Sequence, residues 1–595
     1  MCGIVGYITK DIRNNFSDIL VNQLKRLTYR GYDSWGFAFK EKEKISIIKN
    51  VGDIENFNFN LNLYCDIGIG HTRWATHGKV SKENAHPHTS CDENIVLVHN
   101  GIIENYKELK EYLKKSGHEF KSETDTEVIP HLIEENYKKH KDIVKASIEA
   151  AKYLKGSFAF ALISSYFDGI IAFRNGAPLI IGVGNDEAFV SSDVISFLDR
   201  TKNVIYLEDE EFAIIKKDKD KIDVKIFNIK TREEIKKQIK HINWSFEEAT
   251  KQGFEHFMIK EIFEQPKVIE NALLQDKDFI LNIAMEILRA KNIVITACGT
   301  SRYAAIIGRY LFSKIAKKFC DVIMASEFHY FSDSIDKNTL VIAVSQSGET
   351  ADVLTGVKKA KENGAKIISI VNVMDSSLAR LSDYVIYINA GPEICVAATK
   401  SFTAQLIIFY LLAFSMVNSF EYAKNKLLEI SKILEENLKK NNKNIKEIAK
   451  KIKDFKDFYY IGRGINFAMA SEGALKMKEI SYIHAEGMPA GELKHGTIAL
   501  IEKDTPVIAV CPNDYTFYET ISNVEETKAR GALVIGISDK KDKSFDYWIE
   551  IPSVEEIFYP LVTIIPLQLL AYHVAVEKGL NPDKPRNLAK SVTVK

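Results

Sequence analysis

At 595 residues the chain is too long for one core, and its length predicts about four domains. Hydrophobic content of 46% and charged content of 27% exclude a disordered chain. Lys+Arg and Asp+Glu balance at 80 each, so no net field draws a polyanion, and neither nucleic acid nor a membrane is expected as a partner.

The first element is a strand, Ile4–Thr9, preceded by Met1-Cys2-Gly3. A residue as small as Cys2 favours removal of the initiator Met, which leaves a thiol and a free α-amine on one residue. The amine, at about 7.7–8.0, can take the thiol's proton, at about 8.5, without any side-chain base. Met-Cys alone describes an inert cysteine at a strand start equally well. The seven cysteines (2, 65, 91, 298, 320, 395 and 511) form no C-x-x-C pair, so neither a metal nor a redox motif is expected. An odd, sparse set suits a reducing cytoplasm, and the N-terminus lacks a signal-peptide pattern.

Further short strands follow at Ile67–His71, Ile95–His99, Phe158–Ile163, Gly169–Arg174 and Leu179–Gly184, with helices at Asp18–Leu27, Tyr106–Ser116 and Thr126–Ala151. This texture gives a first domain over residues 2–235. A connector over 236–284 contains the aromatic segment His256–Pro266, which should pack rather than hang free. Beyond it, strands alternate with helices, as parallel α/β units do. The pattern repeats at an offset of about 165 residues. Asn292–Gly299 matches Asp457–Gly462, Thr339–Val344 matches Thr505–Val510, and Gly364 matches Gly531. Two similar α/β domains are therefore expected, at 285–430 and 445–580, with a tail at 581–595. Tyr559–Val576 is apolar enough for a membrane span, but Pro560, Pro566, Gln568 and His573 favour a buried helix.

Three segments of the first domain could serve Cys2. Arg73 can grip a carboxylate in a bidentate fashion. Asn100-Gly101 offers an amide and a flexible N–H for an oxyanion. Asp125 can pair with an ammonium, so together they suit an amino-acid substrate. Singly they read as a surface charge, a turn and a helix cap. In the first α/β copy Ser345-Gln346-Ser347-Gly348-Glu349-Thr350 runs into a helix, a phosphate cradle without a Lys, and Thr300-Ser301 adds hydroxyls at the same sheet edge. The second copy has Cys511-Pro512-Asn513-Asp514 instead, so only one copy should bind phosphate. Glu472, Lys476 and Glu479 share one helix face, which alone reads as a solvated charge row.

The N-terminal segments resemble class II glutamine amidotransferases. Arg26–Ser34, SQSGET, EGALKMKEISYIHAE, GELKHG and the terminal PRNLAKSVTVK narrow that resemblance. The whole chain is similar to the glutamine–fructose-6-phosphate aminotransferase (isomerising) family. The resemblance implies an α+β N-terminal-nucleophile glutaminase domain of stacked β-sheets with flanking helices, followed by two α/β three-layer sugar-isomerase (SIS) domains with parallel sheets. It implies that Cys2 attacks the glutamine amide, that Arg73, Thr76, His77 and Asp125 bind glutamine, and that Asn100 and Gly101 form the oxyanion hole. Trp74 would gate an internal ammonia path. Thr300, Ser301, Ser345, Gln346, Ser347, Thr350, Val396 and Ala589 would border the sugar phosphate. Glu479 would shuttle a proton between sugar carbons, with Lys476 and Glu472 in its network. Lys590 would form the Schiff base, and His495, from the neighbouring subunit of a homodimer, would open the sugar ring.

No organic cofactor and no metal are implied. Trp35 departs from the pattern, where a small residue is expected. Competing readings are an aminotransferase for another keto-sugar phosphate, a sugar-phosphate sensor, and phosphoribosyl amidotransfer. A sensor needs none of Cys2, Glu479, Lys590 or His495, and the tandem repeat supplies no pyrophosphate-binding half.

Overall fold

The computed structural model describes residues 2–57, 63–75, 77–218 and 221–593. The chain divides into two compact units, Met1–Ala249 with Ser591–Lys595, and Thr250–Lys590.

The first unit is a sandwich of two antiparallel sheets. One runs in the order Lys240–His241, Asn203–Tyr206, Ile180–Val183, Glu187–Ser191, Gly3–Arg13, Cys65–Arg73, Ser34–Glu41, Lys44–Val51. The other contains Ile95–Ile103, Gly156–Ser164 and Phe167–Asn175 as neighbours. Because side chains alternate along a strand, Val96 and Val98 face Ile4, Ile8 and Ile67 between the sheets. Ile95 and Leu97 point the other way and pack beneath helices carrying Leu109, Leu113 and Ile129. The strand that follows Cys2 and the strand that carries Asn100 thus belong to facing sheets, which is how residues distant in sequence meet. The expected helix over Thr126–Ala151 is instead two, Val128–His140 and Ile143–Tyr153. Lys141 turns left-handed at φ +53°. Asp142 then caps the second helix, accepting from the N–H groups of Val144 and Lys145 at 3.0 and 3.1 Å.

The second unit holds two five-stranded parallel sheets of one topology. The first is ordered Asp321–Met324, Asn292–Ala297, Thr339–Ser345, Lys366–Val371, Tyr384–Tyr387. The second is ordered His484–Pro489, Asp457–Gly462, Pro506–Val510, Leu533–Ser538, Tyr547–Glu550. The first two matches seen in sequence are strands of these sheets, and Gly364 and Gly531 each lie at positive φ in the turn before a matched strand. The 33-residue helix Phe420–Ile452 runs through the interval between the copies, burying Leu427, Ile430, Leu434, Leu438, Ile445 and Ile448 along one stripe. Helix Tyr559–Glu577 lies in the core: a window of it is apolar enough to cross a membrane, yet 94% of that window is buried by this fold. Against it packs helix Ile465–Ser481. Gly473 there costs about 1 kcal/mol in propensity relative to Ala. A Cβ at that position would fall 2.5 Å from Leu567, so the close approach requires glycine. The connector beyond residue 250 is ordered: helix Phe257–Phe263 is capped by Asp583, which accepts from the N–H groups of Phe257 and Met258 at 2.8 Å.

Candidate active sites

In the first unit the Cys2 thiol lies against the backbone of Trp74, whose N–H donates to Sγ at 3.3 Å. Burial pushes the thiol upward, opposed by the Trp74 N–H and by Arg73 and Arg30 nearby. Asn100 Nδ2 donates to the Cys2 carbonyl at 2.9 Å, and its Oδ1 faces His71 Nε2 at 3.0 Å. An amide fixed at its oxygen end by a histidine presents its NH2 end reproducibly. Gly101 sits at φ +119°, a backbone state that admits few side chains.

Arg73 is buried and donates to the carbonyls of His77, Gly78 and Lys79, which folds the loop after its strand back on itself. Asp33 secures the same loop by accepting from the Ala75 N–H at 2.8 Å. Asp125 is buried, accepts from the Ile103 N–H at 2.8 Å, and lies within the electrostatic reach of Arg73. His77 meets the Tyr106 ring edge-on, 5.8 Å between centroids. Thr76 and Met1 lie outside the described residues. Trp35 is buried and packs edge-on against Phe57.

Sequence reasoning missed the layer behind this site. His71, His86, His88 and His99 pile up as a buried histidine stack in which the rings meet tilted or edge-on rather than parallel. Burial lowers His71 to about 3 and His99 to about 4, so both are neutral. Thr126 Oγ1 joins the stack, 2.8 Å from His99 Nδ1 and 3.0 Å from His86 Nε2. The H-P-H spacing of His86 and His88 was the available signal.

In the second unit Glu472, Lys476 and Glu479 are no solvated row. Glu472 and Lys476 have fully buried side chains, with 3.4 Å between Oε1 and Nζ. Lys476 Nζ also donates to Glu479 Oε2 at 2.5 Å and to Thr300 Oγ1 at 2.9 Å, and Thr300 donates to Glu472 Oε1 at 3.1 Å. Burial, reinforced by Glu479, raises Glu472 to about 8 against the pull of Lys476. Burial also disfavours the Lys476 ammonium, but the two carboxylates outweigh it and hold the charge. Glu472 Oε2 is buried and finds no hydrogen-bond partner among the described residues.

Thr300 therefore joins the acid–base group, and Ser301 Oγ accepts from Gln405 at 2.9 Å. The turn Ser345–Thr350 sits at the carboxyl end of a central strand, before helix Ala351–Glu362. Ser345 Oγ contacts Thr350 Oγ1 at 3.0 Å and accepts from the Gly348 N–H at 3.1 Å. Gly348 stands at φ +65°, where a Cβ would collide with Ser376 Oγ at 2.0 Å. Thr350 holds the helix N-cap position but makes no side-chain cap bond, so its hydroxyl is not spent there. The Gln346 carbonyl accepts from the Asn372 N–H at 3.0 Å. Register pairs Ala297 with Val344, which brings the Thr300 and Ser345 turns to one sheet edge.

Lys590 Nζ donates to Glu393 Oε2 at 2.6 Å, with 6% of the lysine side chain exposed and none of the glutamate's. Glu393 also accepts from the N–H groups of Thr399 and Ser401. Burial opposes its charge, yet Lys590 and these donors bring it down to about 2. Glu261, behind it, is raised to about 7 by burial and by Glu393. It accepts from the N–H groups of Ile394 and Cys395, and the Val396 N–H donates to the Asp583 carbonyl at 3.2 Å. Ala589 is half-buried beside Lys590. Neither Glu393 nor Glu261 was anticipated; an acid inside the apolar run before Val396 was the clue. His495 ends the short turn Ala490–His495, exposed and away from all of these groups' hydrogen bonds.

Residues 71–199 match the glutamine amidotransferase domain family, and residues 286–415 and 451–578 match the SIS domain family. Over all of both chains, this protein is 47% identical to the glutamine–fructose-6-phosphate aminotransferase (isomerizing) of Thermococcus kodakarensis and 45% identical to that of Clostridium tetani. The solved C-terminal domain of glucosamine-fructose-6-phosphate aminotransferase from Francisella tularensis covers 56% of this chain and all of its own, at 37% identity and a TM-score of 0.52. An antiparallel amidotransferase unit followed by two parallel-sheet SIS domains is the architecture that the sequence pattern called for. The chain belongs to the glutamine–fructose-6-phosphate aminotransferase (isomerizing) family.

Proposed function

We propose that the protein converts glutamine and fructose 6-phosphate into glutamate and glucosamine 6-phosphate, and that the residues described above divide the work as follows. With Met1 removed, the Cys2 amine accepts the thiol proton as sulfur attacks the glutamine amide. Asn100 Nδ2 and the Gly101 N–H receive the oxyanion, Asp125 takes the substrate ammonium, and Arg73, Thr76 and His77 shape the pocket for its carboxylate. Collapse of the intermediate releases ammonia and leaves a thioester that water hydrolyses to glutamate. Trp74, whose backbone brackets the thiol, gates the ammonia's exit to an internal path.

At the second site Lys590 passes its extra proton to Glu393, its amine adds to the sugar C2 carbonyl and the carbonyl oxygen leaves as water, giving a Schiff base; ammonia then adds at C2 and the lysine amine leaves. Glu393 and Glu261 hold that lysine in position. Ser345, Gln346, Ser347 and Thr350 seat the phosphate, with Ser301, Val396 and Ala589 bordering the sugar. Glu479 moves the proton between C1 and C2. Lys476 stabilises the enolamine charge, and Thr300 and neutral Glu472 orient Lys476. His495, exposed on its turn, opens the sugar ring of the partner subunit in a homodimer. We assign the amidotransferase domain to 2–235, the SIS domains to 285–430 and 445–580 and the catalytic tail to 581–595, and place the enzyme in the cytoplasm.

The Thr300–Glu472–Lys476–Glu479 group supports this reading most, because a fully buried ammonium set between a buried carboxyl group and a part-buried carboxylate has no purpose in a binding scaffold. Amide-nitrogen-labelled glutamine and fructose 6-phosphate test it. Label must appear in glucosamine 6-phosphate by mass spectrometry, and glutamate formed without labelled amino sugar would refute the acceptor. Mixing His495→Ala with Lys590→Ala protomers should restore activity that neither has alone; no restoration would place His495 in its own subunit's site.

A further inference from the structure

The expectation of no metal rested on cysteine spacing along the chain, and the fold revises it. Cys91, in the turn before strand Ile95–Ile103, meets His118, just past helix Tyr106–Lys115, and His131 and Glu134 on helix Val128–His140. The four donor atoms lie within 4.8 Å of one another. Cys91 Sγ is 3.5 Å from His118 Nδ1 and 3.5 Å from His131 Nδ1. Glu134 Oε2 is 3.3 Å from His118 Nδ1 and 3.7 Å from His131 Nδ1. Tetrahedral bonds of about 2.3 Å to sulfur and about 2.05 Å to nitrogen or oxygen put S–N edges near 3.6 Å and N–O edges near 3.3 Å. Three of the four edges, at 3.5, 3.5 and 3.3 Å, have those lengths, and the Glu134–His131 edge at 3.7 Å is longer.

Hydrogen bonding alone accounts poorly for this convergence. A thiol has one proton, yet Cys91 stands equally close to two imidazole nitrogens. Both rings turn their other nitrogen toward a carboxylate. His118 Nε2 is 3.1 Å from Glu135 Oε2, and His131 Nε2 faces Glu127 Oε1 at 3.7 Å. At His118 that bond places the ring proton on Nε2 and aims the Nδ1 lone pair inward, as in carboxylate–histidine–metal triads, whereas His131 Nε2 stands too far from Glu127 for a hydrogen bond. The outer carboxylates are themselves held: Glu127 accepts from the N–H groups of Lys121 and Ser122 at 2.7 Å, and Glu135 pairs with Lys138 at 3.0 Å. His118 and His131 are buried, while Cys91 is exposed and gives an ion a way in.

We propose that Cys91, His118, His131 and Glu134 bind one divalent transition metal, zinc by donor set and geometry. Binding exchanges the Cys91 thiol proton for the metal, so one thiolate and one carboxylate neutralise the ion. Four protein donors leave no open position, so the site is structural. Its two histidines bracket the segment that carries Asp125, so the ion fixes that segment at both ends. This last point rests on the glutamine-binding role proposed for Asp125.

Metal analysis of the untagged, reduced, full-length enzyme after zinc reconstitution and desalting is the test. One zinc per chain is expected, with loss in Cys91→Ser and His131→Gln and retention in Cys65→Ser. Cobalt in place of zinc should show a thiolate charge-transfer band in wild type that Cys91→Ser lacks, which decides the matter on wild-type protein should the variants misfold. A metal-free reconstituted wild type, or full metal in Cys91→Ser, overturns the site. Stripping the ion should raise the glutamine KM severalfold with kcat and ammonia-dependent synthesis unchanged. An unmoved KM overturns the positioning role, and because metal content is read without turnover, neither result depends on the sugar chemistry.

Discussion

The two α/β halves share one strand order but have opposite chemistry at the same turn. After strand Thr339–Ser345 the first half has hydroxyls and glycine. After strand Pro506–Val510 the second has Asp514, a buried carboxylate. Asp514 Oδ1 accepts from Thr516 N–H and Oγ1 at 2.8 and 2.7 Å, and Oδ2 from Asn466 Nδ2 at 2.8 Å. A phosphate there would meet a like charge. The helices after the first strand of each half differ reciprocally, one offering Thr300 and the other Glu472, Lys476 and Glu479, which join in a single cluster. Duplication supplied two scaffolds, and one site draws on both.

The strongest break of this division is chemical. Lys590→Ala should reduce amino-sugar formation to background while glutamine hydrolysis persists, measured by separate product assays. Glu479→Gln should lower the synthetic kcat by about 10²–10⁴ with the sugar-phosphate KM nearly constant. The turns themselves should separate by parameter. Losing one hydrogen bond to a charged group costs about 1.5 kcal/mol, so Ser347→Ala should raise the sugar-phosphate KM about tenfold. Asp514→Asn should leave that KM alone and lower Tm by about 2–4 °C.

Smaller effects concern buried ionisation. Glu472 is raised to about 8, so it is neutral at pH 7, and Glu472→Gln should keep most activity there while losing any alkaline decline near pH 8. The folded state holds this proton longer than the unfolded chain. The stability it contributes is therefore full below about 4.5 and is lost as pH rises through about 8. In the first unit the sign is reversed. Unfolded histidines protonate near 6.5, but burial holds folded His71 and His99 to about 3 and 4. Stability should fall as pH drops below 6.5, and denaturation of the first unit followed across pH 4–7 would detect it. Flat stability over that range would put protonated histidines in the stack.

Legibility followed sequence distance. The strand alternation, the repeat and the turn Ser345–Thr350 could be read because each is local. Helix Thr126–Ala151 was read as one because its apolar pattern runs through Lys141, while the break depends on a left-handed residue and an Asp cap. Arg73 and Asp125 were recognisable as charges around Cys2, but Arg73's bonds to its own loop were not. Glu393, Glu261 and the histidine stack escaped because a buried polar group is defined by partners the chain order does not show.

By itself the sequence determined the family, the antiparallel unit with its α/β pair, and the residue types that any chemistry here must use. Periodicity and turn residues act between near neighbours and are written along the chain. Tertiary structure alone decided that Thr300 joins Glu472 and Lys476 rather than standing apart, that Lys590 has a buried counter-ion, and that Cys91 lies between two histidines. Desolvation and Coulomb interaction depend on distance through space, and only the packed sheets and helices set those distances.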